Sequence, residues 1–106
     1  MCNHKELLIA KHGEDALMKA ADEGHAHCIE LLLANGVSAC AKDESGYTAL
    51  MQASEAGHAH VVELLIEKGA EVNAMASGIS AIKEAKKNGH DAVMELLRYN
   101  GAVEDD

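Results

Sequence analysis

The feature that most constrains this chain is a repeat. The stretch G-Y-T-A-L-M-Q-A-S-E-A-G-H-A-H-V-V-E-L-L-I-E-K-G starts at Gly46. It is preceded by G-E-D-A-L-M-K-A-A-D-E-G-H-A-H-C-I-E-L-L-L-A-N-G from Gly13 and followed by G-I-S-A-I-K-E-A-K-K-N-G-H-D-A-V-M-E-L-L-R-Y-N-G from Gly78. The step is 33 residues from Gly13 to Gly46 and 32 from Gly46 to Gly78, and the Gly-His pairs at Gly24, Gly57 and Gly89 keep the same steps. A fixed period of this length belongs to a solenoid. Each unit is too small to bury its own apolar face and does so by stacking on its neighbours.

Within the first unit, Asp15 is placed to cap a helix running to about Glu23, with Leu17, Ala20 and Ala21 at i, i+3 and i+4 on one face. Gly24 ends that helix and His25 opens a second, whose apolar face is Cys28, Ile29, Leu32 and Leu33, closed by Gly36. The second unit repeats the scheme with Thr48 as cap, Leu50 and Ala53 facing inward, Gly57 as stop, then Val61, Val62, Leu65 and Ile66 up to Gly69. The third uses Ser80, Ile82, Ala85, Gly89, Val93, Met94, Leu97 and Gly101. Helices this short do not stand alone in water, so stacking must hold them. The predicted fold class is therefore all-α, a solenoid of helix-turn-helix pairs. The polar segments between pairs, residues 37–45 and 70–77, predict hairpin-like loops, the second tighter because it is one residue shorter.

The organisation expected is one domain: an N-terminal segment at 1–12 and repeats at 13–45, 46–77 and 78–106. In the segment, Glu6-Leu7-Leu8-Ile9-Ala10-Lys11 echoes Glu30 to Asn35 and predicts a short helix with Asn3 as its cap. At the other end, Arg98 stands where earlier units have Leu33 and Ile66, and Lys86 where they have Ala21 and Ser54. Charging positions that would meet a following unit makes the third repeat a C-terminal cap, and a complete three-repeat protein is the expectation.

With no Phe or Trp and only Tyr47 and Tyr99 as aromatics, the core must be aliphatic, which suits thin helix layers and suits a deep ligand cavity poorly. A net charge of −9 argues against nucleic acid as partner. The cysteines, Cys2, Cys28 and Cys40, match no zinc or redox spacing; Cys28 aligns with Val61 and Val93 and is expected as a buried apolar substitute. Neither a signal peptide nor a membrane span is legible, which points to the cytoplasm or nucleus.

The repeat has a family resemblance. Gly46-Tyr47-Thr48-Ala49-Leu50 resembles the ankyrin G-x-T-P-L element with Ala49 in the Pro place. Ala53-Ser54-Glu55-Ala56-Gly57-His58 resembles A-A-x-x-G-H, Val62-Glu63-Leu64-Leu65-Ile66 resembles V-x-L-L-L, and Gly69-Ala70-Glu71-Val72-Asn73-Ala74 resembles G-A-x-V-N-A. The T-P-L-H elements all lack Pro, and their His is replaced by Met18, Met51 and Lys83, so modest stability is expected.

The resemblance implies an ankyrin-repeat interaction module: an adaptor, scaffold or inhibitor, monomeric and without a cofactor, holding another protein on its concave face. Carried over position by position, the partner-binding residues are Glu14, Asp22 and Glu23 in the first repeat. They are Asp43, Glu44, Ser45, Tyr47 and Glu55 in the second, and Ala76, Ser77, Ile79 and Lys87 in the third. Six of these are acidic, all in the first two repeats, so the partner is expected to bring a basic surface. Tyr47 is the expected anchor. A resemblance of this kind gives His25, His58 and His90 a structural role. His27 and His60, aligned and expected to be exposed, support the alternative of a metal-responsive assembly, because neighbouring helices lie about 8–10 Å apart. Catalysis is not expected: the sequence has no phosphate loop, H-E-x-x-H or nucleophile elbow.

Overall fold

The computed structural model describes residues 15–43 and 45–102. Six helices run through them in three pairs. These are α1 over residues 15–23, α2 Ala26–Ala34, α3 Ala49–Ala56, α4 Ala59–Glu67, α5 Ala81–Lys87 and α6 Asp91–Tyr99. Within a pair, α3 packs on α4 and α5 on α6; between pairs, α3 packs on α5, and α4 packs on both α2 and α6. The first helices thus form one layer and the second helices another. There are no strands among the described residues, only isolated bridges. None of the helices there is long and apolar enough to cross a membrane.

Local chemistry sets the helix starts. The Thr48 hydroxyl accepts a 3.2 Å hydrogen bond from the Met51 amide, and the Ser80 hydroxyl accepts one of 3.4 Å from Lys83. Asp15 behaves differently from its aligned Thr48 and Ser80: it is already helical, so it does not serve as the expected cap. The helix proposed in 1–12, with Asn3, lies outside the described residues. At the far ends, Asn35 and Asn100 donate side-chain amides to the carbonyls of Leu31 and Leu96, four residues back, which occupies acceptors the helix leaves open.

The core is the expected aliphatic one. Leu17, Ile29, Leu50, Leu65, Ile82 and Leu97 are buried, with Ala21, Ala53 and Ala85 allowing the first helices to approach closely. Ser54, fully buried in an alanine position, donates to the Leu50 carbonyl at 2.7 Å and so leaves no polar atom unpaired.

Two expectations about the array's ends are corrected. Cys28 is exposed, although the aligned Val61 and Val93 are buried, because no preceding helix pair lies against α2 among the described residues. Leu33 and Ile66 are only half-buried at the flank of the core. Arg98 and Lys86 are both exposed.

Between pairs the chain makes hairpin turns. Lys42 bridges Thr48, and Ala76 bridges Ile79. The second turn has only Ser77 and Gly78 between its bridged residues, at φ 54° and 80°. Positive φ at both central positions is the type I′ geometry, whose twist matches a tight hairpin. Ser77 is the only residue other than glycine with positive φ among those described.

Candidate functional site

The side built from the first helices and hairpin tips is organised by a contact that crosses repeats. His58 Nε2 lies 3.0 Å from the Asp22 carbonyl, and His90 Nε2 lies 3.0 Å from the Glu55 carbonyl. A carbonyl only accepts, so Nε2 carries the proton in both rings. The ring sits over the glycine that ends the preceding first helix. A Cβ at Gly24 would lie 2.9 Å from the His58 ring, and one at Gly57 would lie 2.7 Å from the His90 ring. The Gly-His pair is therefore two halves of separate contacts: its glycine receives the next repeat's histidine. His25 has no such glycine before it among the described residues and instead lies 3.2 Å from Glu23. The space around Gly89 is open.

These contacts fix the ends of α1 and α3, where the acidic side chains sit. Asp22 and Glu23 are exposed at the end of α1, and Asp22 Oδ1 accepts from Gln52 Nε2 at 2.9 Å. Glu55 is exposed near the end of α3. At the first hairpin tip, Asp43 Oδ1 accepts from the amides of Ser45 at 2.8 Å and Tyr47 at 2.9 Å, so one carboxylate oxygen is spent holding the turn.

Tyr47, half-buried at the base of that hairpin, has its hydroxyl 2.8 Å from Glu55 Oε1 and 2.8 Å from Glu84 Oε2. Glu84 projects from α5 of the next repeat and is 5% exposed. The phenol has one proton to give, so it donates fully to one carboxylate at a time. Burial, then hydrogen bonding to Glu55 and Glu84, then their negative charge, push the Tyr47 phenol far above its ordinary value, and it stays protonated through the alkaline range. Tyr47 thus joins the hairpin, α3 and α5, with its hydroxyl engaged rather than free.

The expected site residues divide accordingly. Asp22, Glu23, Asp43, Ser45, Ser77 and Lys87 are exposed, Glu55 is exposed but engaged by Tyr47, and Ile79 is half-buried. Ala76 has its side chain buried against Gly46 and offers little to a partner. Glu14 and Glu44 lie outside the described residues. Glu84 and Gln52 belong to this surface and were not anticipated. They occupy the same repeat position, and both bond to residues of the preceding repeat. That cross-repeat offset is not legible from spacing within one unit.

His27 and His60 are both exposed on the opposite, second-helix side. His60 lines a shallow groove with Glu30, Glu63 and Glu67, and His27 is not among its lining residues. Among the described residues, no three His, Cys, Asp or Glu side chains are gathered in a way that could hold a metal ion. The metal alternative therefore has no ligand set there.

Comparison with known proteins bears on the same architecture. The crystal structure of the human ASB11 ankyrin repeat domain superposes with a TM-score of 0.79 at 28% identity, covering 82% of this chain and 40% of that one. This chain thus spans well under half of that domain's length. No curated protein matches the sequence. The family model described as ankyrin repeats (3 copies) matches residues 2–76, reaching back before α1 and ending before α5. With that match over most of the sequence, a stacked-pair architecture and hairpins between pairs, the chain belongs to the ankyrin-repeat family.

Proposed function

We propose that this protein is an adaptor, scaffold or inhibitor that holds a basic protein surface on the side formed by its first helices and hairpin tips. Ankyrin repeats in general are protein–protein interaction modules without chemistry of their own. The finer reading rests on one observation: Asp22, Glu23, Asp43 and Glu55 are exposed on one side of two successive repeats, and Lys87 takes the aligned position in the third. The surface is thus graded, acidic toward the N-terminal end. Exposed carboxylates of this kind steer a basic partner and suppress acidic ones, acting more on association than on dissociation. Half-buried Tyr47, held through its hydroxyl by Glu55 and Glu84, is the proposed anchor at the middle of the array. The repeat boundaries proposed for this reading are 13–45, 46–77 and 78–106, with a monomer as the binding unit.

The test is affinity capture from source lysate with the parent chain, followed by binding kinetics with the captured partner. Asp22→Lys and Glu55→Lys should slow association and flatten its salt dependence. Tyr47→Ala should speed dissociation. A partner whose kinetics ignore all three changes refutes the proposed side.

A further inference from the structure

The second-helix side carries a different pattern, and it is regular. Glu30, Glu63 and Glu95 occupy one aligned position on α2, α4 and α6, and all three are exposed. The next residue in each helix is a leucine. Leu31 is 53% exposed, and Leu64 and Leu96 are half-buried. A row of carboxylates therefore crosses the three helices beside a row of leucines.

Between α4 and α6 this side opens into a groove of about 690 Å³. Ile66, Ala92 and Leu96 line its apolar part, and Tyr99, 90% exposed, stands beside them. Glu63, Glu67 and Glu95 supply its charge. The groove between α2 and α4 continues it, shares Glu63 and Glu67, and adds Glu30. No Lys or Arg lines either groove.

We propose that this side is a second interface, which docks a basic amphipathic α-helix of a partner protein across α2, α4 and α6. The occupant follows from charge and spacing. Packed helices lie about 8–10 Å apart, so successive glutamates of the row stand about that far from one another. Seven residues of α-helix rise about 10.5 Å and complete about two turns. A helix with Lys or Arg at every seventh position therefore meets one glutamate per repeat, and an adjacent apolar stripe lies along the leucines and in the groove. A second copy of this chain is disfavoured, because it would bring a protein of net charge −9 against the same carboxylates.

The probe is a synthetic helical peptide, about three such spacings long, with Lys at every seventh position beside a leucine stripe. Its affinity is read by fluorescence anisotropy. The double variant Glu63→Lys/Glu95→Lys should weaken binding about tenfold or more through lost and reversed charge contacts, and Tyr99→Ala should weaken it several-fold. Glu63, Glu95 and Tyr99 are all exposed, so the variants should melt like the parent. Glu55→Lys, on the other side, should leave peptide affinity unchanged, which separates this result from the fate of the first-helix reading. Equal binding of a scrambled peptide of the same composition overturns the proposal, as does an effect of Glu55→Lys as large as that of the double variant. Dimerisation of the parent that the double variant abolishes would assign the surface to a second copy and overturn it also.

Discussion

Replacing Gly57 with alanine should cost far more than the same change at Gly89, although both residues end a first helix at positive φ, 84° and 72°. The shared part is conformational. An L-residue in the left-handed region loses about 1–2 kcal/mol, partly offset by the about 0.4–1 kcal/mol that alanine gains by restricting the unfolded chain. At Gly89 nothing lies within 4 Å of a new Cβ, so the net loss there should be about 1 kcal/mol. At Gly57 the new methyl would meet the His90 ring at 2.7 Å. The ring must swing away, and with it goes the hydrogen bond to the Glu55 carbonyl, worth about 0.5–1.5 kcal/mol, together with its packing. Gly57→Ala should therefore destabilise by about 2–3 kcal/mol. Urea unfolding checks this through a lower midpoint at unchanged slope. In a His90→Ala background the obstructing ring is gone, and Gly57→Ala should then cost no more than Gly89→Ala. If the two glycine variants agree within about 0.3 kcal/mol, or if the cycle with His90→Ala shows no coupling, the histidine does not interlock the repeats.

Ser77→Gly should stabilise the second hairpin by a fraction of about 1 kcal/mol, since it removes the left-handed penalty; Ser77→Val should do the opposite, and both shifts are readable as melting temperatures. Tyr47→Phe should destabilise, because it strips the donor from the buried Glu84 and leaves two carboxyl groups facing one another. It should also change the response to alkali. The unfolded phenol ionises near pH 10 whereas folded Tyr47 keeps its proton, so the parent's stability holds below about pH 10 and falls above it. The phenylalanine variant should lack that alkaline component, and melting curves on either side of pH 10 compare the two. Arg98→Leu recreates a face that expects a following repeat and should raise self-association, seen as a concentration-dependent mass in sedimentation.

What is local in this fold was legible in the sequence. Thr48 and Ser80 cap helices because a hydroxyl three residues before an amide can reach it within one turn. The order of Leu50, Ala53 and Leu65 places them inward through helical periodicity alone. The tight second hairpin followed from one missing residue. The site was legible only in part. Asp22, Asp43 and Glu55 could be placed on loops and helix ends, but the engagement of Tyr47 by Glu84 depends on how far one repeat is offset against the next. A period gives the length of a unit, and not the rotation and shift with which units stack. Cys28 failed for a related reason. Alignment with Val61 and Val93 predicts burial only where a preceding pair supplies the other half of the contact.

The polar residues of the first-helix side follow the same logic. Gln52 on Asp22 and Glu84 on Tyr47 are one repeat position used twice, each reaching back to the previous unit. His58 on Asp22 and His90 on Glu55 are a second such pair. Two of the acidic residues proposed to meet a partner are therefore held from the next repeat: Asp22 through its carboxylate and carbonyl by the second, Glu55 through its carbonyl by the third. Glu55 is also held through Tyr47 by the buried Glu84. Such contacts restrict the helix end on which a carboxylate stands, and a restricted group loses less freedom when a partner arrives. Stacking in this array thus does two jobs with the same residues. It buries the aliphatic layer that stabilises the chain, and it preorganises the charged side that the proposed function requires.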